Sequence, residues 1–442
     1  RANRAAAAEL PPVHVLALAP DRAGAAAILA RARAENRTSL TEAESLALLD
    51  CYGLPTVARL CAASPEEAAR AAEALGWPVA VKVLSPDLDR KTDFGGVALN
   101  LRDPDAVRGA GEAILRRAAA HDPTARLDGL LVQTQCAPGA ELRLRVGDDP
   151  MFGPWIGFGA GGTAAEIDAD DAFDLPPLNL SLARALVDRT RLARRLRGWR
   201  DHRAVDLGAI ADALVRLSQM VVDLPEIRSA TINPLLAGPD GVVALDAGIA
   251  LRAPGEPPGV LAVAPYPADL SRPWTSADGR TLLVRPIRPE DAAAHEAAVR
   301  RLPSEDIRRR FFAPLRALPP AQTARLTSID YDREMAFVAV ENLPDEDRAY
   351  RLVGAARLVR THDRTGEFAV VVEPRWKGCG LGRHLMERLF DWARGQGLAE
   401  IEGQVLMDNA PMVAFVRRLG FRLRRGEDGL YEARLDLDAP PS

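Results

Sequence analysis

Glu367-Phe368-Ala369-Val370-Val371-Val372-Glu373-Pro374-Arg375-Trp376-Lys377-Gly378-Cys379-Gly380-Leu381-Gly382 is the stretch that decides the fold of the carboxy-terminal part of this chain. Phe368 to Val372 reads as an apolar strand, and Leu385, Met386, Leu389, Phe390 and Ala393 follow at helical spacing. Between them lies a glycine-rich turn that opens the helix. Glycines let backbone N–H groups approach an anion closely, and a helix amino terminus favours negative charge. Strand, glycine turn and helix start in this order predict a cradle for a pyrophosphate. A glycine turn alone would predict only a tight turn.

Working outward, a second strand is predicted at Ile401 to Leu406, followed by Asn409, Met412 and the ending Leu419-Gly420-Phe421. Upstream, Arg285-Pro286-Ile287-Arg288 opens the segment. The whole set resembles the GNAT acetyltransferase family. The resemblance implies that the backbone amides of Lys377, Gly378, Cys379, Gly380, Leu381 and Gly382 hold the pyrophosphate of acetyl-CoA. It also implies that Val370 to Val372 pair with the pantetheine, and it places Arg375 and Asn409 in the cofactor set.

An amine must be neutral when it attacks a thioester, so a base must take its proton. Glu367 and Glu373 flank the cofactor strand. By strand alternation Glu367 shares a face with Ala369 and Val371, whereas Glu373 stands at the mouth of the glycine loop. Glu367-Phe368-Ala369-Val370 is similar to the segment that carries the base in bacterial protein lysine acetyltransferases of the Pat type. That resemblance favours Glu367, directly or through water; the alternative is a surface glutamate at a strand start. Many GNAT enzymes place a tyrosine four residues before the last Gly-Phe as acid for the thiolate, and here that position is Val416.

The amino-terminal half alternates strands and helices, which predicts an α/β fold. Strands are expected near Thr56 to Cys61, at Val79 to Leu84 and at Gly129 to Thr134, with helices starting at Thr38 or Thr41, after Ser64 and from Pro104 to Ala120. Thr41 and Glu44 have capping-box spacing. A further strand is expected at Val13 to Leu18. Lys82 lies in an apolar strand, where a buried cation needs an anionic partner. Lys91-Thr92-Asp93-Phe94-Gly95-Gly96 follows, then Gln133, Glu141, the glycine run Gly157 to Gly162, and Glu166. Near the end stand Asn233-Pro234 and Asp246, oxygen donors that suit Mg²⁺ held with nucleotide phosphates.

This half resembles the ATP-grasp part of ADP-forming acyl-CoA synthetases. The resemblance implies that Lys82, Lys91, Gly95, Gly96, Gln133 and Glu141 surround ATP, with Asn233 and Asp246 on the metal. Two departures speak against phosphoryl transfer. Arg90 stands where the family has a phosphate-relaying histidine, and arginine cannot carry a phosphoryl group in that way. Thr231 replaces the acidic residue that commonly precedes Asn-Pro.

Bulk properties narrow the choice. The chain has 442 residues, too many for one ordinary core. Its net charge of -4, from 57 basic and 61 acidic residues, favours neither nucleic acid nor an anionic membrane. Lysine occurs only at positions 82, 91 and 377; each lies in or beside a glycine-bearing segment. Cys51, Cys61, Cys136 and Cys379 form no CxxC pair, which fits a reducing cytoplasm. No apolar run reaches the ~20 residues a membrane helix needs. Starting at Arg1, the chain is expected to be a fragment of something longer.

The expected architecture is therefore multidomain α/β. Residues 1–36 form the tail of an upstream element, 37–252 an ATP-grasp domain, 253–278 a proline-rich linker and 279–437 a GNAT domain. The fusion is similar to that of Pat-type protein lysine acetyltransferases, which also share Arg310-Phe311-Phe312 and Asp332 to Val338. It implies protein lysines as acceptors, acyl-CoA synthetases among them, with a regulatory ATP-grasp domain. The rival readings are an ADP-forming ligase with an accessory GNAT domain, an acetyl-CoA sensor, and an acetyltransferase of small amines.

Overall fold

The computed structural model describes residues 18–88, 90–162, 170–198, 203–311, 318–343 and 350–438. Most of the strand expected at Val13 to Leu18, together with Glu166 and Phe312, lies outside them. The described residues divide into two compact units, with the boundary between Val263 and Ala264.

In the first unit α1 (Arg22–Ala34) precedes α2 (Glu42–Cys51). A capping box starts α2: Glu44 N–H donates to Thr41 Oγ1 at 3.2 Å, and Thr41 N–H donates to Glu44 Oε2 at 2.9 Å. There follow β1 (Arg59–Ala62), α3 (Pro65–Leu75), β2 (Val79–Leu84), β3 (Val97–Leu101), α4 (Pro104–His121) and β4 (Gly129–Thr134). The strands form one sheet in the order β1-β4-β2-β3. Alternation sends Val79, Val81 and Val83 into a core with Ala68, Ala72, Val107 and Ile114 of the two helices. Lys82 and Gln133 therefore project from the opposite face.

A second sheet is built from β5 (Ala140–Asp149), β6 (Gly153–Ala160), β7 (Ala172–Asp174), β8 (Ile227–Gly238), β9 (Gly241–Ala244) and β10 (Ala247–Leu251). Its order is β10-β8-β5-β6-β7, with β9 paired to β8. Leu142, Leu144, Ile156 and Phe158 of this sheet share a buried core with Leu46 and Leu49 of α2 and with α5 (Leu207–Asp223).

The second unit is one eight-stranded sheet with helices on both faces. Its elements are β11 (Arg272–Thr275), β12 (Thr281–Pro286), α6 (Ala292–Arg301), α7 (Ser304–Phe311), α8 (Pro320–Thr327), β13 (Glu334–Asn342), β14 (Tyr350–His362), β15 (Thr365–Val372), α9 (Leu381–Gly395), β16 (Glu400–Leu406), α10 (Ala410–Arg418), β17 (Arg422–Arg425) and β18 (Leu430–Asp436). The order is β11-β12-β13-β14-β15-β16-β18-β17. Met335, Phe337 and Ala339 of β13 face the α9 side, and Ala336, Val338 and Val340 face the other, so both faces are buried. The proline-rich interval carries β11 near its end. Pro273 is tolerated there because an edge strand needs hydrogen bonds on one side only.

Candidate functional sites

Every neighbouring strand pair of the eight-stranded sheet is antiparallel except β15 with β16. That parallel pair is short: Thr365, Gly366 and Glu367 match Glu400, Ile401 and Glu402, and beyond them the strands part. Glu373 N–H donates to Val353 O at 2.9 Å, across to β14. Backbone direction alternates along a strand, so Val371 and Ala369 also face β14. The N–H and C=O groups of Val370 and Val372 therefore open into the gap towards β16.

At the wide end of this gap lies the glycine turn. Gly378 and Gly380 have φ of +82° and +94°, the left-handed region that favours glycine. Among the described residues no side chain caps α9, whose N-cap is Gly380. Among the described residues no backbone carbonyl outside the helix accepts from the N–H groups of Gly378 through Arg383. Those donors are available to an anion. Buried Trp376 anchors the turn in the core, and Cys379 Sγ donates to Trp376 O at 3.0 Å. Across the gap Asn409 caps α10, accepting from Met412 N–H at 3.2 Å. Phe415 of α10 lies beside Gly382, 3.6 Å from where a Cβ would stand.

Charged side chains surround the turn. Lys377 Nζ donates to Asp306 of α7 at 2.7 and 2.8 Å. Arg375 pairs with Glu341 and lies 3.6 Å from Glu373 Oε1. Glu373 is sheltered between Arg375 and Arg301, and its Oε2 has no hydrogen-bond partner among the described residues. Glu367 is exposed at the narrow end of the gap, at the last paired residue. Burial lowers the Arg310 guanidinium to about 10, against the charge of Glu367, which favours its protonation. Val416 is fully buried, and its apolar side chain has no proton to give a leaving thiolate.

In the first unit the residues assigned to a nucleotide gather around a carboxylate that sequence reasoning passed over. Glu42 takes Lys82 Nζ on Oε1 and Lys91 Nζ on Oε2, both at 2.5 Å, and Gln133 Nε2 on Oε1 at 3.0 Å. Burial would raise the Glu42 carboxyl, but Lys82 and Lys91 outweigh it and hold it below the usual range. For Lys82, burial opposes the charge, and Glu42 and Asp246 restore it and raise the ammonium. The signal for Glu42 was present. Lys82 needed an anion, and the capping box had already claimed Glu44.

Lys82 also donates to Asp246 Oδ2 and Leu245 O, both at 3.2 Å. Burial is the main influence on Asp246 and raises it, against Lys82. Asn233 N–H donates to Asp246 O at 3.1 Å, and its Oδ1 accepts from Gly162 N–H at 2.8 Å. A Cβ on Gly162 would collide with Glu141 Oε2, so Glu141 closes the same wall. Gly95, at φ +71°, and Gly96 fold the turn back, with Gly96 O accepting from Val83 N–H at 2.9 Å. Arg90 itself sits at φ +47°. Among the described residues no three His, Cys, Asp or Glu side chains form a metal cluster. Mg²⁺ bound with nucleotide phosphates needs only one or two protein oxygens, and Asn233 with Asp246 would fit that role once Lys82 yields.

Fold and sites together define an α/β protein that joins a nucleotide-grasp unit to a thioester-dependent transferase unit. A family model described as an ATP-grasp domain matches residues 31–251, and one described as the acetyltransferase (GNAT) family matches residues 304–421. The beta subunit of the Pyrococcus furiosus ADP-forming acetate–CoA ligase I is 34% identical over 51% of this chain and 96% of that subunit. An acetyltransferase of Pseudomonas aeruginosa is 34% identical over 34% of this chain and 80% of that protein. Acetyl-coenzyme A synthetase 1 of Ca. Korarchaeum cryptofilum, solved with coenzyme A, Ca-AMPCP and HgCl+, is 36% identical over 51% of this chain and 99% of that one, with a TM-score of 0.50. Two other ADP-forming ligases, acetate–CoA ligase I of Archaeoglobus fulgidus and 4-hydroxybutyrate–CoA ligase of Nitrosopumilus maritimus, are covered over only 30% and 31% of their length.

The chain belongs to the ATP-grasp family of ADP-forming acyl-CoA ligases and carries a fused GNAT-family acyltransferase domain at its carboxy-terminal side. The order of the two domains is that of Pat-type fusions. Among the described residues no helix is long and apolar enough to cross a membrane.

Proposed function

We propose that this protein transfers the acetyl group of acetyl-CoA to lysine side chains of proteins, with CoA-forming acyl ligases as candidate targets. The observation that carries the cofactor half of this reading is the parting of β15 from β16 beside an uncapped glycine turn. In this reading the turn, Lys377 to Gly382, takes the pyrophosphate, with Arg375 and Asn409 at its sides. The pantetheine then runs along Val370 and Val372 towards the narrow end, which brings the thioester close to Glu367. Glu367 takes a proton from the incoming ammonium, directly or through water, and the amine attacks the thioester carbonyl. The fused large domain supports a protein acceptor over a small amine.

The ATP-grasp domain serves in this reading as a sensor of nucleotide or related metabolites rather than as a ligase. Arg90 in the histidine position is the observation behind that choice. The test is acetyl transfer to a panel of candidate proteins, read by mass spectrometry, with wild type beside Glu367→Ala. Lysine acetylation that collapses in the variant is the expected result. Transfer that survives would discard Glu367, and tight acetyl-CoA binding without transfer to any protein would discard the protein acceptor.

A further inference from the structure

A charged face runs across the second unit from Glu367 to the edge of the sheet. Glu367 of β15 stands in register with Glu402 of β16, Glu402 with Arg434 of β18, and Arg434 with Arg422 of β17. The next row of the same face aligns Gln404, Glu432 and Arg424. Alternation sends Ile401, Val405, Ala433 and Leu423 the other way, into the core shared with α9. Beyond β15 the face is therefore polar, with Gln404, Arg434, Arg422 and Arg424 exposed.

We propose that this face docks the acceptor protein, and that the acceptor carries acidic side chains at a set distance from the lysine that is acetylated. The inference rests on the transferase reading and deepens it by naming the chemistry of the acceptor. Glu367 and Glu402 offer negative charge where the ammonium arrives. Arg434, Arg422 and Arg424 offer positive charge towards the edge. Complementary charge at the two ends aligns a partner and suppresses wrong ones. From Glu367 to Arg422 is three interstrand steps, or about 14 Å. An extended segment advances about 3.3 Å per residue, so the acidic side chains fall about four residues from the lysine.

Three observations favour a partner over a solvated edge. Arg417 and Arg418 at the end of α10 and Arg422, Arg424 and Arg425 of β17 are exposed, and among the described residues none of the five has an ion-pair partner. Arg422 stands directly opposite Arg434, a like-charged cross-strand pair that costs stability. An edge strand needs charge to keep other strands away, but mixed signs would serve as well and without that repulsion. The patch is also continuous with the cofactor site, because α10 begins at Asn409 and sets Phe415 beside Gly382. Nucleic acid fits the face less well than an acidic protein segment, since Glu367 and Glu402 would repel its phosphates.

The test uses the full chain, acetyl-CoA and synthetic peptides with a single lysine. One peptide is neutral, one has glutamates about four residues to either side of the lysine, and one has the same glutamates adjacent to it. Wild type should show a KM about tenfold lower for the spaced acidic peptide than for the neutral one, with similar kcat, and salt should shrink the advantage. Arg422→Glu combined with Arg424→Glu should abolish the advantage. Acetyl-CoA affinity, turnover of the neutral peptide and the melting temperature should stay as in wild type. Equal KM for the neutral and spaced peptides, an equal gain from adjacent glutamates, or an advantage that survives the double variant overturns the proposal. So does a duplex oligonucleotide that binds more tightly than the acidic peptide in anisotropy titrations and is lost in the same variant. Wild type that binds acetyl-CoA yet acetylates no lysine fails the transferase reading itself, whereas acetylation indifferent to the glutamates fails only this inference.

Discussion

Each unit holds a lysine in a glycine-bearing segment, and each lysine is met by a carboxylate, yet the two pairs differ in kind. Lys82 and Glu42 are 9% and 2% exposed, and Glu42 also binds Lys91 and Gln133. Lys377 is 50% exposed and meets Asp306 at the surface. In the first unit, charges that could take phosphate are already matched inside the fold. In the second, the backbone donors of the glycine turn have no acceptor among the described residues, and the lysine beside them is held loosely. Burial, rather than residue type, separates a pair that belongs to the fold from one a ligand can take apart.

The comparison breaks most directly at Glu42. Removing one partner of a buried pair costs about 3–5 kcal/mol, because the cation left behind stays desolvated. Glu42→Ala should therefore strongly lower the midpoint of the first unit's transition in calorimetry and leave acetyl-CoA binding by the second unit unchanged. A variant as stable as wild type would make Lys82 a free phosphate ligand and erase the contrast.

In the second unit the corresponding break lies in the backbone. Gly380→Val puts a β-branched residue at φ +94°, a conformation costing about 1–3 kcal/mol, with no Cβ clash to blame. Acetyl-CoA affinity should fall about 10- to 100-fold by calorimetric titration, with the melting temperature little changed. Affinity unchanged by the valine would remove the turn from the cofactor site.

Acid sharpens the contrast further. For Glu44, burial works against ionisation, but hydrogen bonds from Arg37 and from Thr41 hold the carboxyl at about 2. Its folded value lies below the unfolded one, near 4.3, so its contribution is complete above that pH. It is lost as pH falls towards about 2, and Glu42, also lowered, adds in the same direction. The first unit should lose stability across this window, and Glu44→Gln should flatten the loss in an acid titration followed by circular dichroism.

What the sequence made legible follows the range of each signal. The strand and helix around Gly378 and Gly380 were readable because periodicity and glycine spacing are local. β2 and β4 fall where their apolar runs lie, at Val79–Leu84 and Gly129–Thr134. β1 runs from Arg59 to Ala62, later than the expected Thr56 to Cys61, since pairing with β4 sets its ends. The need of Lys82 for an anion was readable, but its partner stands 40 residues earlier and only the fold chooses it. The parting of β15 from β16 is likewise a tertiary fact.

Asp306 tests the comparison where it is weakest, since Lys377 and Asp306 resemble the buried pair in chemistry and differ only in setting. An exposed pair contributes about 0.2–1 kcal/mol, so Asp306→Asn should leave the melting temperature almost unchanged. If phosphate and carboxylate compete for one ammonium, the asparagine should tighten acetyl-CoA binding by up to about fivefold. Lys377→Met should cancel that gain, because a competition needs the ammonium, whereas a general repulsion between Asp306 and phosphate would persist without it. High salt should shrink the effect in wild type. Weaker binding in Asp306→Asn would mean the reverse, that α7 positions Lys377 for the cofactor, and the surface pair would then be as structural as the buried one.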